Sequence, residues 1–231
     1  MNSRFPVKTE DGSHTLFNET VGEHYHSLYG AIQESEHIFI RAGLGAFHPA
    51  PEIMRVLEIG FGTGLNGLLT MLWSEKNEQP VEFLGIEAFP VSRQVLNRLN
   101  YPDLLHIDKA SFLMMHESSS CFHPVGPFFS AKVLHQTFQE YQPEKNSFHV
   151  VFFDAFSPDS QPEMWMEDGF LKLYEALLPG GILVTYSCKG KVKRMMKAAH
   201  FSIEKLPGPP GKREFLRATA QKQVQRISKF L

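Results

Sequence analysis

The sequence predicts an α/β fold in which a seven-stranded, mostly parallel sheet has helices on both faces and an N-terminal extension. Three observations indicate this fold. Apolar runs of strand length alternate with segments of helical apolar spacing, a glycine-rich loop joins the first strand to its helix, and two closing strands are joined tightly. The repeated strand-then-helix order is typical of parallel strands, and the closing hairpin contributes one antiparallel strand.

The glycine-rich loop lies in the stretch VLEIGFGTGLNG, from Val56 to Gly67. An apolar strand comes first, glycines at 60, 62 and 64 interrupt it, and helical spacing resumes afterwards. Glycine has no Cβ and tolerates positive φ, and the first N–H groups of the following helix point outward unpaired. We therefore expect a small polar ligand to contact bare backbone at this loop.

Two ligand classes use this geometry, the dinucleotides and S-adenosylmethionine. The spacing of Gly62, Gly64 and Gly67 fits the G-x-G-x-x-G pattern of dinucleotide sites. Glu58 lies within the strand, two residues before the first glycine, where its carboxylate would repel a pyrophosphate but suits the amino-acid end of S-adenosylmethionine. This acid favours S-adenosylmethionine as the ligand.

Residues 1–50 are predicted to form an extension that covers the active site, and residues 51–231 to form one α/β unit. Leu16 and Phe17 are the apolar doublet of a short strand or hairpin edge. The apolar and aromatic spacing that follows predicts a helix from about Ser27 to Arg41.

Beyond the first strand and its helix, six apolar runs predict the other strands of the sheet. They cover residues 81–90, 128–134, 148–156, 181–188, 201–206 and 212–220. Helical spacing and helix-ending residues place the main helices between them, at 91–100, 161–178 and 191–200. Residues 103–127 predict a helix followed by a loop.

Several polar residues come directly after these strands. Glu87 ends the second strand, Gln136 follows the third and Asp154 the fourth. Because ligands of open parallel sheets bind outside the carboxyl ends of the strands, we expect one pocket to contain these residues and the glycine loop. An acid at the end of the second strand is positioned to accept hydrogen bonds from both ribose hydroxyls of a nucleoside.

Asp154 is the predicted catalytic residue. It ends an almost wholly apolar strand, and Phe156 and Trp165 in the segment that follows can form walls of a pocket. A carboxylate here would hold an amine nucleophile by hydrogen bonds and direct its lone pair at a methyl group. Methyl transfer from a sulfonium is a displacement in which positioning of the reactants does most of the work.

Charge is distributed unevenly along the chain. Twelve of its 23 Lys and Arg residues, but two of its 25 acidic residues, lie after position 188, which predicts a polyanionic partner at the basic end. Two cysteines and no apolar run of signal-peptide or membrane-spanning length predict a cytoplasmic protein without a membrane partner. The eleven histidines lack ligand spacing, so no metal is expected, and no obligatory protein partner is evident.

Five segments resemble one known family. They are NETVGEHYHSLYGAIQE, LEIGFGTGLN, FFDAFSPDSQPEMW, GILVTYS and PGPPGKREFLRA. Together they are similar to the methyltransferase domain of the MnmC family, which finishes 5-methylaminomethyl-2-thiouridine at the tRNA wobble position. The resemblance spans roughly Leu16 to Ala218. It implies a class I S-adenosylmethionine methyltransferase fold, methylation of the 5-aminomethyl group of that uridine, and contact with the anticodon stem-loop of tRNA.

The resemblance also implies roles for individual residues. Those expected to bind the methyl donor are Glu58, Gly60, Gly62, Gly64 and Asn66 around the glycine loop, Glu87 at the ribose, and Gln136. Those expected at the substrate are Asp154 at the amine and Tyr25 and Ser27 closing over the donor. The sequence itself adds Phe156 and Trp165 as walls of the substrate pocket, and the basic end adds Lys212 and Arg213 near the anticodon.

The sequence departs from the family pattern at the end of the third strand, where the family usually has Gly-Asp and this chain has His135 and Gln136. A side-chain oxygen of Gln136 would accept the same hydrogen bond from the adenine amino group. No second glycine fingerprint follows, so we expect a stand-alone form without the flavin oxidase domain and without FAD.

Two other functions remain open at this point. The chain would be a small NAD-dependent dehydrogenase if the glycine loop bound a dinucleotide, but Glu58 would then have no purpose. It would be a non-catalytic RNA-binding protein if only the fold were retained, a reading that the intact Asp154 disfavours.

Overall fold

The computed structural model describes residues 4–222, so Arg226 and Lys229 of the basic end lie outside the described residues. The strands are β1 Arg4–Lys8, β2 His14–Asn18, β3 Glu23–His24, β4 Met54–Ile59, β5 Val81–Ile86, β6 His123–Gly126, β7 Phe129–Leu134, β8 Phe148–Phe153, β9 Leu177–Thr185, β10 Ser202–Pro207 and β11 Glu214–Thr219. The α-helices are α1 Ala31–Ser35, α2 Leu65–Asn77, α3 Arg93–Leu96, α4 Tyr101–Leu105, α5 Lys109–Met114, α6 Glu167–Ala176 and α7 Gly190–Ala198.

Eight strands form the main sheet, in the order β10-β11-β9-β8-β4-β5-β7-β6. The five central strands are parallel, and β11 runs antiparallel to β9, as the closing hairpin predicted. The predicted count of seven is one too low because β6, read as a loop, pairs antiparallel with β7. Pro124 concealed it: proline removes a hydrogen-bond donor and is tolerated in a strand only at an edge, which is where β6 lies.

The carboxyl ends of the central strands lie side by side. Ile59 pairs with Ile86 on one side and with Phe153 on the other, and Ile86 pairs with Leu134. The residues that follow these strand ends therefore emerge at one edge of the sheet. This register confirms that the glycine loop, Glu87 and Asp154 share an edge.

Helices pack on both faces of the sheet and bury two apolar clusters. On one face Phe83 and Phe152 meet Leu68 of α2, and on the other Phe153 packs on Trp165 and Phe170. Each aromatic side chain removes a large apolar area from water, which is the main stabilising contribution to such a core. The predicted helix at 161–178 is divided into a 3₁₀ turn, Pro162–Trp165, and α6. The one predicted at 91–100 is reduced to α3.

The N-terminal extension forms a three-stranded antiparallel sheet, β1-β2-β3, followed by α1. The helix predicted from Ser27 begins at Ala31, because Gly30 has a φ of 149° and the chain before it is not helical. It continues as a π-helix, Glu36–Arg41, whose Ile38 and Phe39 are buried in the same cluster as Phe152. The extension is thus part of one hydrophobic core with the sheet.

Within residues 4–222, no helix combines the length and apolar character needed to cross a lipid bilayer. The same residues contain no group of three or more His, Cys, Asp or Glu side chains placed to hold a metal ion.

Candidate active site

A cavity of about 820 Å³ opens at the carboxyl edge of the sheet. One side, which we call the sheet wall, consists of Gly60, Gly62, Glu87, Gln136 and Asp154. The opposite side, the cap wall, comes from the N-terminal extension and consists of Arg4, Asn18, residues 20–27 and Glu34. Phe156, Tyr186 and Lys212 close the space between the two walls.

The backbone of the glycine loop lies directly against the backbone of Asp154. Gly60 has a φ of 90°, and a Cβ built on it would lie 2.5 Å from the backbone oxygen of Asp154. The N–H of Asp154 in turn donates to the carbonyl of Ile59 over 2.9 Å. Only glycine permits this approach, so the loop and the predicted catalytic residue are fixed to each other by backbone contacts.

Glu87 is oriented by the backbone of two loops. Its Oε2 accepts a hydrogen bond from the N–H of Gly62 over 2.7 Å, and its Oε1 accepts one from the N–H of Phe89 over 2.8 Å. The carboxylate lines the cavity beside the glycine loop. It is therefore placed where the ribose of a nucleoside bound at this loop would present its hydroxyl groups.

Asn66, in the first turn of α2, joins two carboxyl groups. Its Nδ2 donates to Glu58 Oε1 over 2.7 Å and to Asp154 Oδ2 over 2.9 Å. Burial, reinforced by the charge of Asp154, raises the pKa of Glu58 well above its ordinary value. Burial and then the charge of Glu34 raise the pKa of Asp154 to about 7, against the opposing effects of Asn66 and Lys212. Burial thus favours the neutral form of Glu58, and the pKa of Asp154 lies close to neutrality.

The cap wall is attached to the loop after Asp154 by Glu23. Its carboxylate accepts hydrogen bonds from the backbone N–H of Ser157 over 3.0 Å and from the hydroxyl groups of Ser157 and Ser160. The ring of Tyr25 packs edge-on against Phe156, with centroids 4.9 Å apart, and lies against Gly62. The cap therefore covers the cavity where the glycine loop meets the Asp154 loop.

Lys212 points into the cavity from the loop between β10 and β11. Its Nζ lies 2.8 Å from Glu34 Oε1, and it stands 4.2 Å above the centre of the Tyr186 ring. The neighbouring Arg213 is exposed and does not line the cavity. Of the two residues predicted near the anticodon, Arg213 alone faces outward.

Most of the predicted site residues come together around the cavity. Those that line it are Gly60, Gly62, Glu87, Gln136, Asp154, Tyr25, Ser27, Phe156 and Lys212. Those that do not are Glu58, Gly64, Asn66, Trp165 and Arg213. Trp165 was expected to form a wall, but it is fully buried and acts behind the wall, where its Nε1 donates to the carbonyl of Phe156 over 2.8 Å.

Among the lining residues that the sequence did not single out are Tyr186, Glu23, His26 and Glu34. Tyr186 directly follows β9, so the rule that located Glu87 and Asp154 at strand ends would have found it. Glu23, His26 and Glu34 lie in the extension, and no short-range pattern indicates which of its polar residues turn inward. Burial lowers the pKa of His26 to about 4, so this ring is neutral in the cavity.

The residues of the sheet wall fit S-adenosylmethionine. Gly60 and Gly62 line the cavity with backbone that carries no side chain, and Glu87 presents a hydrogen-bond acceptor beside them. The acidic groups around the cavity suit a cationic sulfonium and disfavour a pyrophosphate. Gln136, in place of the usual acid, lies on the same wall and has an oxygen acceptor available for an amino group.

Comparison with known proteins supports this ligand. A family profile described as S-adenosyl-L-methionine-dependent methyltransferase matches residues 128–221. The chain is 32% identical over 223 residues to the tRNA 5-methylaminomethyl-2-thiouridine biosynthesis bifunctional protein MnmC of Aromatoleum aromaticum, covering 90% of this chain and 34% of that protein. The corresponding protein of Paracidovorax citrulli is 31% identical, over 88% of this chain and 34% of its own length. The chain thus spans about a third of the length of these curated relatives.

Solved structures also resemble this chain in fold. The structure of MNMC2 from Aquifex aeolicus matches with a TM-score of 0.77 and 28% identity, over 97% of this chain and 72% of that chain. Spermidine synthase from Thermotoga maritima matches with a TM-score of 0.51 and 16% identity, over 96% of this chain and 74% of that chain, which shows a shared fold alone.

The fold, the edge cavity and the family match define a class I S-adenosyl-L-methionine-dependent methyltransferase. More particularly, the chain is a homologue of the methyltransferase domain of the MnmC proteins. This confirms the family indicated by the five sequence segments, and it favours S-adenosylmethionine over a dinucleotide at the glycine loop.

Proposed function

We propose that this protein transfers a methyl group from S-adenosylmethionine to the 5-aminomethyl group of the modified wobble uridine in tRNA, giving 5-methylaminomethyl-2-thiouridine. Homology to the MnmC methyltransferase domain supports the choice of substrate. A tRNA substrate places the reaction in the cytoplasm. The observation that carries the proposal is the position of Asp154, at the sheet edge beside the glycine loop and opposite the cap wall.

Asp154 is fixed for this task from two sides. Its backbone contacts Ile59, the last residue of β4, and Gly60 of the glycine loop, and its Oδ2 accepts a hydrogen bond from Asn66. The remaining acceptor capacity of the carboxylate faces the cavity. A primary amine held there lies next to the ligand of the glycine loop, as a displacement at a methyl group requires.

The proton balance assigns a second task to the same carboxylate. S-adenosylmethionine, when bound, supplies a methyl group on a positively charged sulfur. An aminomethyl group is largely an ammonium ion at neutral pH and must lose one proton before its nitrogen lone pair can attack. Asp154, with its pKa raised to about 7, accepts that proton, and the methylated product then carries the charge that left the sulfur.

The outer surface suits tRNA. Lys191, Arg194 and Lys197 are exposed on α7, and Arg213 is exposed on the loop that carries Lys212. Such cations would contact phosphates, which gives affinity that depends strongly on salt and positions the RNA without reading its sequence. The residues that line the cavity would then have to distinguish the modified base from other bases.

The direct test is incubation of the purified protein with S-adenosylmethionine labelled in the methyl group and tRNA that carries 5-aminomethyl-2-thiouridine, followed by nucleoside analysis. We expect label in 5-methylaminomethyl-2-thiouridine. Asp154→Asn, which keeps the hydrogen bond from Asn66, should lower kcat by about 10²- to 10⁴-fold and leave donor affinity by calorimetry within a few-fold. Binding of tRNA without labelled product would favour the RNA-binding alternative, and full turnover by Asp154→Asn would remove Asp154 from its role.

A further inference from the structure

The ion pair between Glu34 and Lys212 spans the cavity from the cap to the β10–β11 loop. The Glu34 side chain is 8% exposed and the Lys212 side chain 27%, so neither has the full hydration of a surface charge. Both residues line the same cavity as Asp154. Charges that share a cavity of low effective dielectric constant affect one another much more than surface charges do.

Both members of the pair are fixed in place. Glu34 Oε2 accepts a hydrogen bond from the N–H of Ser27 over 2.7 Å, so its carboxylate cannot turn away freely. Lys212 stands over the Tyr186 ring, and the Tyr186 hydroxyl donates to the carbonyl of Ala155 over 2.9 Å. Because Ala155 follows Asp154 directly, these contacts fix the position of both charges relative to the Asp154 carboxylate.

Five groups from five elements affect Asp154. Asn66 of α2 donates a hydrogen bond to it, and Glu58 of β4 shares that amide. Tyr186, after β9, is an un-ionised phenol, because burial raises its pKa well above the ordinary value. Glu34 of α1 and Lys212 are thus the opposed formal charges that act on Asp154. More remotely, Glu23 acts on Tyr186 and Glu87 acts on Glu58.

We propose that Glu34 and Lys212 offset each other's charge at Asp154, so that loss of either one alone changes the fraction of Asp154 that is ionised at neutral pH, and with it the pH range in which the enzyme can accept a proton from its amine substrate. This inference rests on the proposed function, in which Asp154 is the proton acceptor. Glu34 and Lys212 act through Asp154 and are positioning residues. Burial brings the pKa of Asp154 close to neutrality, and the two opposed charges leave it there, whereas loss of one partner would raise or lower that pKa.

Opposite directions of change follow from the two signs of charge. Lys212→Met removes the cation that favours the Asp154 carboxylate, so the acidic limb of the kcat profile should move to higher pH by roughly one unit. Glu34→Gln removes the anion that disfavours it, and the limb should move to lower pH by a similar amount. The glutamine oxygen can still accept the hydrogen bond from Ser27. The double variant should return close to the wild-type profile.

A matched control lies on the same hairpin. Lys205 and Glu214 form an ion pair of 3.0 Å between β10 and β11, with side chains 48% and 36% exposed. Lys205→Met breaks an ion pair of similar length without changing a charge that lines the cavity, so the pH profile of kcat should not move. Circular dichroism and urea unfolding of every variant separate a change in profile from a change in folding.

A second measurement does not need the RNA. Titration of the Asp154 carboxyl carbon by ¹³C NMR, assigned with Asp154→Asn, should show the same opposite shifts in Lys212→Met and Glu34→Gln. Shifts in the same direction in both variants, or no shift in either, would overturn the proposal. If the wild-type protein methylates no tRNA, the proposed function fails, while the NMR titration still decides whether this pair controls Asp154.

Discussion

The two walls of the cavity are held in place by different kinds of contact. The sheet wall follows from strand register: residues just beyond β4, β5 and β8 emerge together because Ile59, Ile86 and Phe153 are paired. The cap wall depends on side chains that meet across more than 100 residues of sequence, such as Glu23 with Ser157 and Glu34 with Lys212. The sheet wall is therefore held by backbone pairing, whereas side-chain contacts join the cap wall to the rest of the cavity.

The chemistry is divided in the same way. The groups that would bind the donor and accept the proton, Glu87 and Asp154, belong to the sheet wall. The groups that cover the cavity or adjust its charge, Glu23, Tyr25 and Glu34, belong to the cap wall. A change in the sheet wall should thus affect donor binding strongly, and a change in the cap wall should affect stability and substrate entry more weakly.

The largest effect is expected at Gly60. In Gly60→Ala the new Cβ would lie 2.5 Å from the backbone oxygen of Asp154, and the residue would keep a positive φ. A backbone oxygen cannot move aside as the end of a side chain would. We expect a loss of about 2–4 kcal/mol in the free energy of unfolding and at least about tenfold weaker donor binding. Urea unfolding and calorimetry with S-adenosylmethionine measure the two effects.

Gly180 provides the matched control for that substitution. Its φ of 79° is close to that of Gly60, but a Cβ there meets nothing within 4 Å. Gly180→Ala should therefore cost only the backbone strain, about 1 kcal/mol, and leave donor binding intact. Equal costs for the two variants would contradict a special role for the contact with Asp154.

A smaller effect is expected at Glu23. Burial alone would raise the pKa of this carboxyl, but hydrogen bonds from Ser157 and Ser160 outweigh it and lower the pKa below 4.5. A lowered pKa means that the charged form stabilises the fold above pH 4.5 and that this stabilisation disappears as the pH falls further. Glu23→Gln should thus cost about 1 kcal/mol at pH 7, since the group is largely hydrated, and progressively less in acid.

Urea unfolding of wild type and Glu23→Gln at pH 7 and in the acidic range below pH 4.5 tests this expectation. A difference in unfolding free energy that grows as the pH falls would show that the Glu23 carboxylate does not hold the cap in its charged form.

The smallest effect is expected for the ion pair between Lys189 and Asp159, whose side chains are 46% and 77% exposed. Surface pairs of this kind are worth little because water and salt screen them. Lys189→Ala should change the unfolding free energy by less than about 0.5 kcal/mol, measured by urea unfolding. If Lys189→Ala lowered the unfolding free energy as much as Lys212→Met measured in parallel, charges in the cavity and charges on the surface would not differ in their effect on stability.

The sequence predicted the sheet wall well because its signals are local. Glycines within one loop and acids at the ends of apolar strands give the position of Gly60, Glu87 and Asp154 once the strands are known to be parallel. The extra edge strand β6 was missed because its proline and glycine are typical of loops, and pairing with β7 is a tertiary effect.

The surroundings of the sheet wall could not be predicted in the same way. Lys212 and Arg213 are neighbours in a basic loop, and only the packed structure shows that the first turns inward to Glu34 while the second remains exposed. Trp165 has the composition of a pocket residue, yet it is buried against Phe153 and supports the wall from behind. Both outcomes depend on contacts between segments distant in sequence, which no local periodicity encodes.

The backbone contact between Gly60 and Asp154 also bears on redesign of the enzyme. Since the glycine loop and Asp154 share this junction, repositioning either would disturb the other. Under the proposed function, an engineer seeking methylation of a different amine would keep this contact and vary the N-terminal extension, whose side chains take no part in the contact between Gly60 and Asp154. The fold in this sense separates the proposed reaction centre from the segment that would select the substrate.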